Sequence, residues 1–386
     1  MYCRTSKTFS IGKAPQIMTC VSMWPLSAPG WPGASLAAEI APSKSVLLLE
    51  AEEFPGYHST GRSAAFWSET YGGPAIQPLT TASYQFLSTP PAGFSERGFL
   101  TPRGALHIGT AECHSIAEDM QADFAASSVA LEKLSANHIE RHLTGRRDGW
   151  DLALWEPDCC DIDVAALHQA YLGAARRLGC EIQCRAPVRA LAFVDGCWSI
   201  KTAAGQFEAE MVVNAAGAWA DMIAELAGIR RLDIQPYRRT VVQIEIAPAA
   251  PADLPLVVGL DGSFYFKPDA GGRLWVSPHD EIATPPCDAA PEELEVATAL
   301  DRFEQVVDWK IKRIERKWAG LRSFAPDRRP VIGRDPRNEQ FFWLAGQGGF
   351  GIQTAPAVAK LAAAQITGEE RLRAIDPAPY SPDRFG

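Results

Sequence analysis

The stretch SMWPLSAPGWPGASLAAEIAPSKSVLLLE, Ser22–Glu50, decides how this chain is read. Its second half predicts a short helix, ASLAAEIA (34–41), with small residues on one side. A turn follows, then a buried parallel strand, SVLLLE (45–50), continuously apolar and ending on Glu50. A unit of this kind opens with a strand and a tight glycine turn, because a helix N-terminus presents free N–H groups and a positive dipole end to an anion. The first half instead carries Pro25, Pro29 and Pro32. Aligned back from GASLAAEI, the turn falls on APGWPG (28–33), where Gly30 and Gly33 keep the glycine pattern. Pro29 and Pro32 remove two donors and fix φ where the turn needs freedom, and Trp31 is bulky beside the expected anion.

The rest of the chain bounds the problem. It has 386 residues, 47% apolar and 22% charged, enough for about two domains with ample core. A net charge of −9 argues against nucleic acid or an anionic membrane as partner. The nine cysteines include no C-x-x-C pair, so reduced thiols are expected, with no metal site and a cytoplasmic location. No apolar run reaches the length of a membrane span, and the N-terminal stretch is too broken by polar residues and prolines for a signal peptide.

Further along, LTTASYQFL (79–87) predicts a helix and residues 111–143 carry helical periodicity. DIDVAALHQAYLGAARRLG (161–179) is a long amphipathic helix, followed by alternating strands with a hairpin at Asp195-Gly196. Residues 235–322 are strand-rich with one helix near 291–307. Strand–glycine–helix junctions occur near residue 30, at 213–219 and at 343–354. Their separation by strand-rich inserts predicts an α/β class: a discontinuous Rossmann-like nucleotide domain carrying a mostly antiparallel substrate domain. The divisions are 1–32 (an atypical N-terminus), 33–80, 155–232 and 323–375 for the nucleotide domain, and 81–154 and 233–322 for the substrate domain. Glu50 stands where such a domain has its ribose-binding acid, although taken alone a solvated strand-end glutamate explains it better. Ser59, Thr60 and Arg62 of YHSTGRSAA are candidates for pyrophosphate contacts, and the glycines of GQGGFGIQT precede a helix whose N-terminus would stabilise an anion such as a reduced flavin.

Together PGYHSTGRSAA, PPAGF, DIDVAALHQAYL, VNAAGAWAD, SFYFKPDAGG, WAGLRSF and GQGGFGIQT resemble the FAD-dependent D-amino-acid oxidase/dehydrogenase family, and look closest to its D-arginine dehydrogenase branch. The resemblance runs from about Gly33 to the C-terminal helix. It implies a glutathione-reductase-type FAD domain and oxidation of a D-amino acid at Cα–N, giving an imino acid, then a keto acid and ammonia. The electron acceptor would be a quinone or O2. Arg322 and Tyr265 would bind the substrate carboxylate, with Tyr71 on a loop over the site and Arg239 in the pocket. Non-covalent FAD would be held by Gly30, Gly33, Glu50, Ser59, Thr60, Arg62, Ser63, Ala64, Val188, Gly217, Gly348, Gly349, Gly351, Ile352 and Gln353. The arginine-using branch has a histidine where this chain has Phe66, and a pocket glutamate where it has Ala105. A guanidinium substrate would lose its counter-charge, so a neutral or apolar amino acid is expected. The alternatives are an inactive remnant of a flavin fold and a glycine- or sarcosine-type amine oxidase.

The damaged turn has an informational explanation. Read one frame over, from the third base of each codon, Ser22–Pro32 can be encoded so as to give Asp-Val-Ala-Val-Ile-Gly-Ala-Gly-Met-Ala, with Gly33 following. That is an apolar strand and an intact G-x-G-x-x-G turn. The residues before Gly33 are therefore expected to be an out-of-frame translation. Codons in the genomic DNA that cannot be read this way would end the idea.

Overall fold

A computed structural model of the chain describes residues 19–21, 30–369 and 375–386. Its first layer is a six-stranded sheet in the order Val331–Asp335, Asn338–Ala345, Val212–Asn214, Thr19–Val21, Leu47–Leu49, Glu181–Gln183. All neighbours are parallel except the first pair, a hairpin. Helices Trp31–Ile40 and Gly351–Thr367 pack on it through Leu36, Ala37, Ile40, Val358 and Leu361, all essentially inaccessible. Small residues on both helices allow this close approach, and apolar strands buried on both faces need such a cover.

The second layer is a nine-stranded sheet dominated by antiparallel pairs, centred on Gln235–Ala247, which pairs along its length with Lys310–Phe324. Strands Ala105–Gly109 and Leu152–Glu156 join it, the former parallel to Leu256–Gly259. Helix Glu293–Val306 covers one face with Val296, Ala299 and Phe303. Among the described residues no helix is long and apolar enough to cross a membrane.

Local expectations translate directly where a cap or turn residue fixes them. Helix Val164–Arg177 starts at Asp163, whose carboxylate accepts from Ala166 N at 2.9 Å. Asp195 and Gly196 take φ of 52° and 81° in the turn joining Val188–Val194 to Cys197–Thr202. Residues 111–143 are not one helical region: helices His114–Phe124 and Ala136–His142 are separated by strand Glu132–Lys133. That strand pairs with Leu152–Glu156, a long-range contact that periodicity does not register.

Three expected domain borders cut continuous elements. Helix Gln77–Ser88 runs across 80/81, because Ser83 Oγ accepts from Ala357 N and ties it to the glycine-junction helix. Strands Leu152–Glu156 and Lys310–Phe324 likewise run through 154/155 and 322/323, and both belong to the nine-stranded sheet, which therefore carries Arg322. The expected strand within Ser22–Ala28 lies outside the described residues. The central strand position, between Leu47–Leu49 and Val212–Asn214, is taken by Thr19–Val21.

Candidate active site

Parallel pairing puts the C-terminal ends of Thr19–Val21, Val212–Asn214 and Asn338–Ala345 on one edge, so the three glycine junctions converge there. They line a cleft of about 730 Å³ with Gly30, Trp31 and Pro32, with Ala215–Trp219, and with Gln347, Gly348, Gly349, Gly351 and Ile352. His58, Ser59, Thr60, Ser63 and Leu321–Ser323 complete its wall. Neither helix Trp31–Ile40 nor helix Gly351–Thr367 has a side-chain N-cap. Gly217 has φ +57°, and a Cβ there would meet no atom within 4 Å, so its backbone faces open space.

A flavin dinucleotide fits this cleft on two observations. Gln347 Nε2, in its wall, is buried without a hydrogen-bond partner, and so is Glu50 Oε2 at the end of Leu47–Leu49. Glu50 is fully inaccessible; Oε1 accepts from Glu52 N at 2.9 Å, and burial raises its carboxyl to about 9. An orphaned acceptor or donor of this sort is costly until a ligand hydroxyl or carbonyl reaches it.

Other expected cofactor residues are used differently. Arg62 pairs with Asp288 and donates to Ala289 O and Ala319 O at 2.9 and 3.2 Å, away from the cleft. Val188 is buried in the core beneath Trp198 and Val212. Gly33 sits inside the first turn of its helix and is not part of the cleft wall. Ser59 Oγ donates to Leu321 O at 2.7 Å, and Thr60 Oγ1 accepts from Trp31 N at 3.3 Å. The Trp31 ring packs 6.1 Å from Tyr171 and 5.4 Å from His168, inside the core.

Beside the larger cleft, and sharing Ser63, Arg322, Gly349 and Ile352 with it, lies a second of about 380 Å³. Ala64, Phe66, Tyr71, Arg239, Tyr265 and Gln353 line it, so all four expected substrate residues come together. Arg322, 7% exposed, donates to Leu321 O at 3.1 Å and Arg62 O at 3.2 Å, and no carboxylate pairs with it among the described residues. Burial, then repulsion from Arg239, hold its guanidinium below its usual value. Arg239 differs: Nη2 meets Glu281 at 3.0 Å, Nε donates to Asp280 O at 2.8 Å, and Nη1 lies 3.5 Å from the Tyr71 hydroxyl. Burial raises the Tyr265 phenol, keeping it a donor. Phe66 stands 5.2 Å from Tyr71 and 6.1 Å from Tyr265, closing an aromatic wall. No acidic side chain lines this cleft.

Two residues near the clefts were not among the expected ones: Gln347, in the wall of the larger, and His279, which packs behind Tyr71 and Tyr265 without lining either. His279 packs 5.7 Å from Tyr265 and 6.2 Å from Tyr71, and burial beside Arg239 lowers it to about 3. A lone histidine in SPHDE gives no sequence signal, whereas Gln347 could have been flagged by its place in GQGG.

The family described as FAD dependent oxidoreductase (DAO) matches residues 30–365. Human mitochondrial dimethylglycine dehydrogenase is 28% identical over 260 residues, covering 60% of this chain and 29% of that protein. Glycine oxidase of Bacillus subtilis (strain 168) is 30% identical over 208 residues, covering 52% and 53%. The alignments thus span about a third to a half of these curated relatives. Among solved structures, L-proline dehydrogenase from P. horikoshii superposes with a TM-score of 0.82 at 22% identity, covering 96% of this chain and 98% of that one. Glycine oxidase from Geobacillus kaustophilus gives 0.79 at 22%, covering 92% and 96%. At these identities the structural likeness carries the fold.

Proposed function

The chain belongs to the DAO family of FAD-dependent oxidoreductases, and on that premise we propose that it oxidises the Cα–N bond of a small neutral or apolar D-amino acid. The observation that carries this reading is Arg322, a buried guanidinium without an acidic partner beside the smaller cleft. Its remaining N–H groups suit a carboxylate bidentately. Tyr265 donates to the same carboxylate, which directs Cα toward the wall shared with the larger cleft. FAD, when bound, supplies the acceptor for the hydride leaving Cα. The neutral substrate amine releases its electron pair into the forming C=N bond, and the imino acid hydrolyses to a keto acid and ammonia.

The aromatic wall of Phe66, Tyr71 and Tyr265 and the absence of an acidic lining residue favour neutral side chains over D-arginine. A second reading, a glycine- or sarcosine-like amine, is favoured by the small cleft and by the glycine oxidases and dimethylglycine dehydrogenase among the relatives. The test is anaerobic bleaching of the FAD-loaded protein by D-leucine, D-phenylalanine, D-proline, D-arginine, glycine and sarcosine. Faster bleaching by D-arginine than by D-leucine or D-phenylalanine overturns the first reading. Bleaching by glycine and sarcosine alone selects the second.

A further inference from the structure

We propose that Glu156 is a positioning residue for Tyr71, a role that rests on the carboxylate-binding reading of the smaller cleft. Glu156 ends strand Leu152–Glu156 and is 1% exposed. Its Oε1 accepts from Glu69 N at 2.8 Å. Its Oε2 accepts from Ser68 Oγ at 2.9 Å and Thr70 Oγ1 at 2.7 Å, and lies 3.0 Å from His107 Nε2. A carboxylate offers about four acceptor sites, and four groups converge on this one, one at Oε1 and three at Oε2. Three belong to the consecutive residues 68–70 that lead directly into Tyr71.

Burial opposes the charge on Glu156, yet the hydrogen bond and attraction of His107, with the bonds from Thr70 and Ser68, hold its carboxyl below the usual range. The carboxylate therefore stays ionised in an apolar setting, where its charge-assisted bonds are strong. On the far side of the segment, Gln353 Oε1 accepts from Ser68 N at 3.2 Å, and Gln353 Nε2 donates to Tyr71 O at 3.1 Å. Beyond Tyr71, Gly72 and Gly73 take φ of +101° and +76°, and Gly73 N donates to Thr70 O at 3.1 Å, closing a turn over residues 70–73. The Tyr71 hydroxyl lies 3.5 Å from Arg239 Nη1 and against Gly349, and its ring packs on Phe66, His279 and Phe350. The bonds on residues 68–70 fix the backbone from which that ring reaches over the cleft.

The test uses the full-length, FAD-loaded protein, with benzoate as the probe carboxylate and flavin absorbance as the readout. Four forms are compared: wild type, Glu156→Gln, Tyr71→Ala and the double variant. Glu156→Gln is expected to weaken benzoate about tenfold in wild type but less than about threefold in the Tyr71→Ala background, since coupled residues are non-additive. Hydrogen exchange should quicken in residues 68–73 and not in helix Gly351–Thr367. Equal weakening in both backgrounds, or unchanged exchange at 68–73, overturns the proposal. If Glu156→Gln does not fold, Ser68→Ala with Thr70→Val removes two of the four donors and must show the same coupling. A wild-type holoprotein indifferent to benzoate overturns the carboxylate reading of the cleft instead, and the exchange comparison then decides the brace by itself.

Discussion

Replacing Arg322 with methionine should abolish carboxylate binding while making the cofactor-free protein more stable. The guanidinium has five donors; one goes to Leu321 O and one to Arg62 O, leaving three for a ligand. Two charge-assisted bonds to a carboxylate contribute about 1.5–3 kcal/mol each. Allowing for compensation by Arg239, a loss of about 3–4 kcal/mol, or roughly 10²–10³-fold in affinity or kcat/KM, is expected.

The stability arm runs the other way. Methionine matches much of the volume, and a buried cation without a partner is a liability. Neither carbonyl is orphaned by the change: Leu321 O keeps Ser59 Oγ at 2.7 Å, and Arg62 O keeps Trp318 Nε1 at 3.3 Å. A gain of about 1 kcal/mol, seen as about 1 °C in Tm for a chain of this size, follows. Arg239→Met is the control, because it strips Asp280 O and Glu281 of a partner and should lower Tm. Benzoate titration and calorimetry of both variants measure the two arms. Arg322→Met that binds benzoate within threefold of wild type, or that melts as early as Arg239→Met, refutes the reasoning.

Glu50 should make the cofactor-free protein less stable as pH rises. Its folded value of about 9 lies above the ordinary 4.5, so the folded state holds the extra proton and loses stability from 4.5 up through 9; urea midpoints at acid and alkaline pH should diverge in wild type and far less in Glu50→Gln. Gly349→Ala should weaken benzoate about tenfold in whatever fraction carries FAD, because its Cβ would lie 2.1 Å from the Tyr71 hydroxyl; equal affinity in the flavin titration would count against Tyr71 as part of the site. Pro32→Ala should tighten FAD severalfold by returning one N–H to the first turn of Trp31–Ile40, and flavin fluorescence quenching that is unchanged would mean this turn does not hold the pyrophosphate.

Features set by local chemistry were legible in the sequence. Glycine junctions, the Asp163 cap and the Asp195-Gly196 hairpin each depend on a few neighbouring residues. Side-chain partners far along the chain were not. Arg62 sits in a polar loop suited to a phosphate, but Asp288 claims it from the other layer. Nothing in LALWE says that Glu156 will collect donors from residues 68–70 and His107, because the strand reads as core. Arg322 and Arg239 look alike in their motifs. What separates them is that Glu281 reaches one, and among the described residues no carboxylate pairs with the other.

The N-terminal segment brings local and long-range signals into conflict. A parallel sheet with Val212–Asn214 and Leu47–Leu49 in place leaves a slot that some strand must fill, and Thr19–Val21 fills it. In a dinucleotide unit that strand runs straight into the glycine turn. Here residues 22–29, outside the described part, separate it from Gly30. Helix Trp31–Ile40 starts three residues before the expected 34–41, inside the expected turn, with Gly30 at its N-cap. The Trp31 ring finds room against Tyr171, while Pro32 leaves the first turn a donor short. Tertiary packing therefore tolerates the substituted residues, since helix and sheet need only volume and apolar surface there. Anion binding is less forgiving, because it needs backbone N–H groups that proline lacks. The alternative frame can encode Met-Ala in place of Trp31-Pro32 and a strand running straight into the turn. On that reading the N–H that packing cannot replace would return.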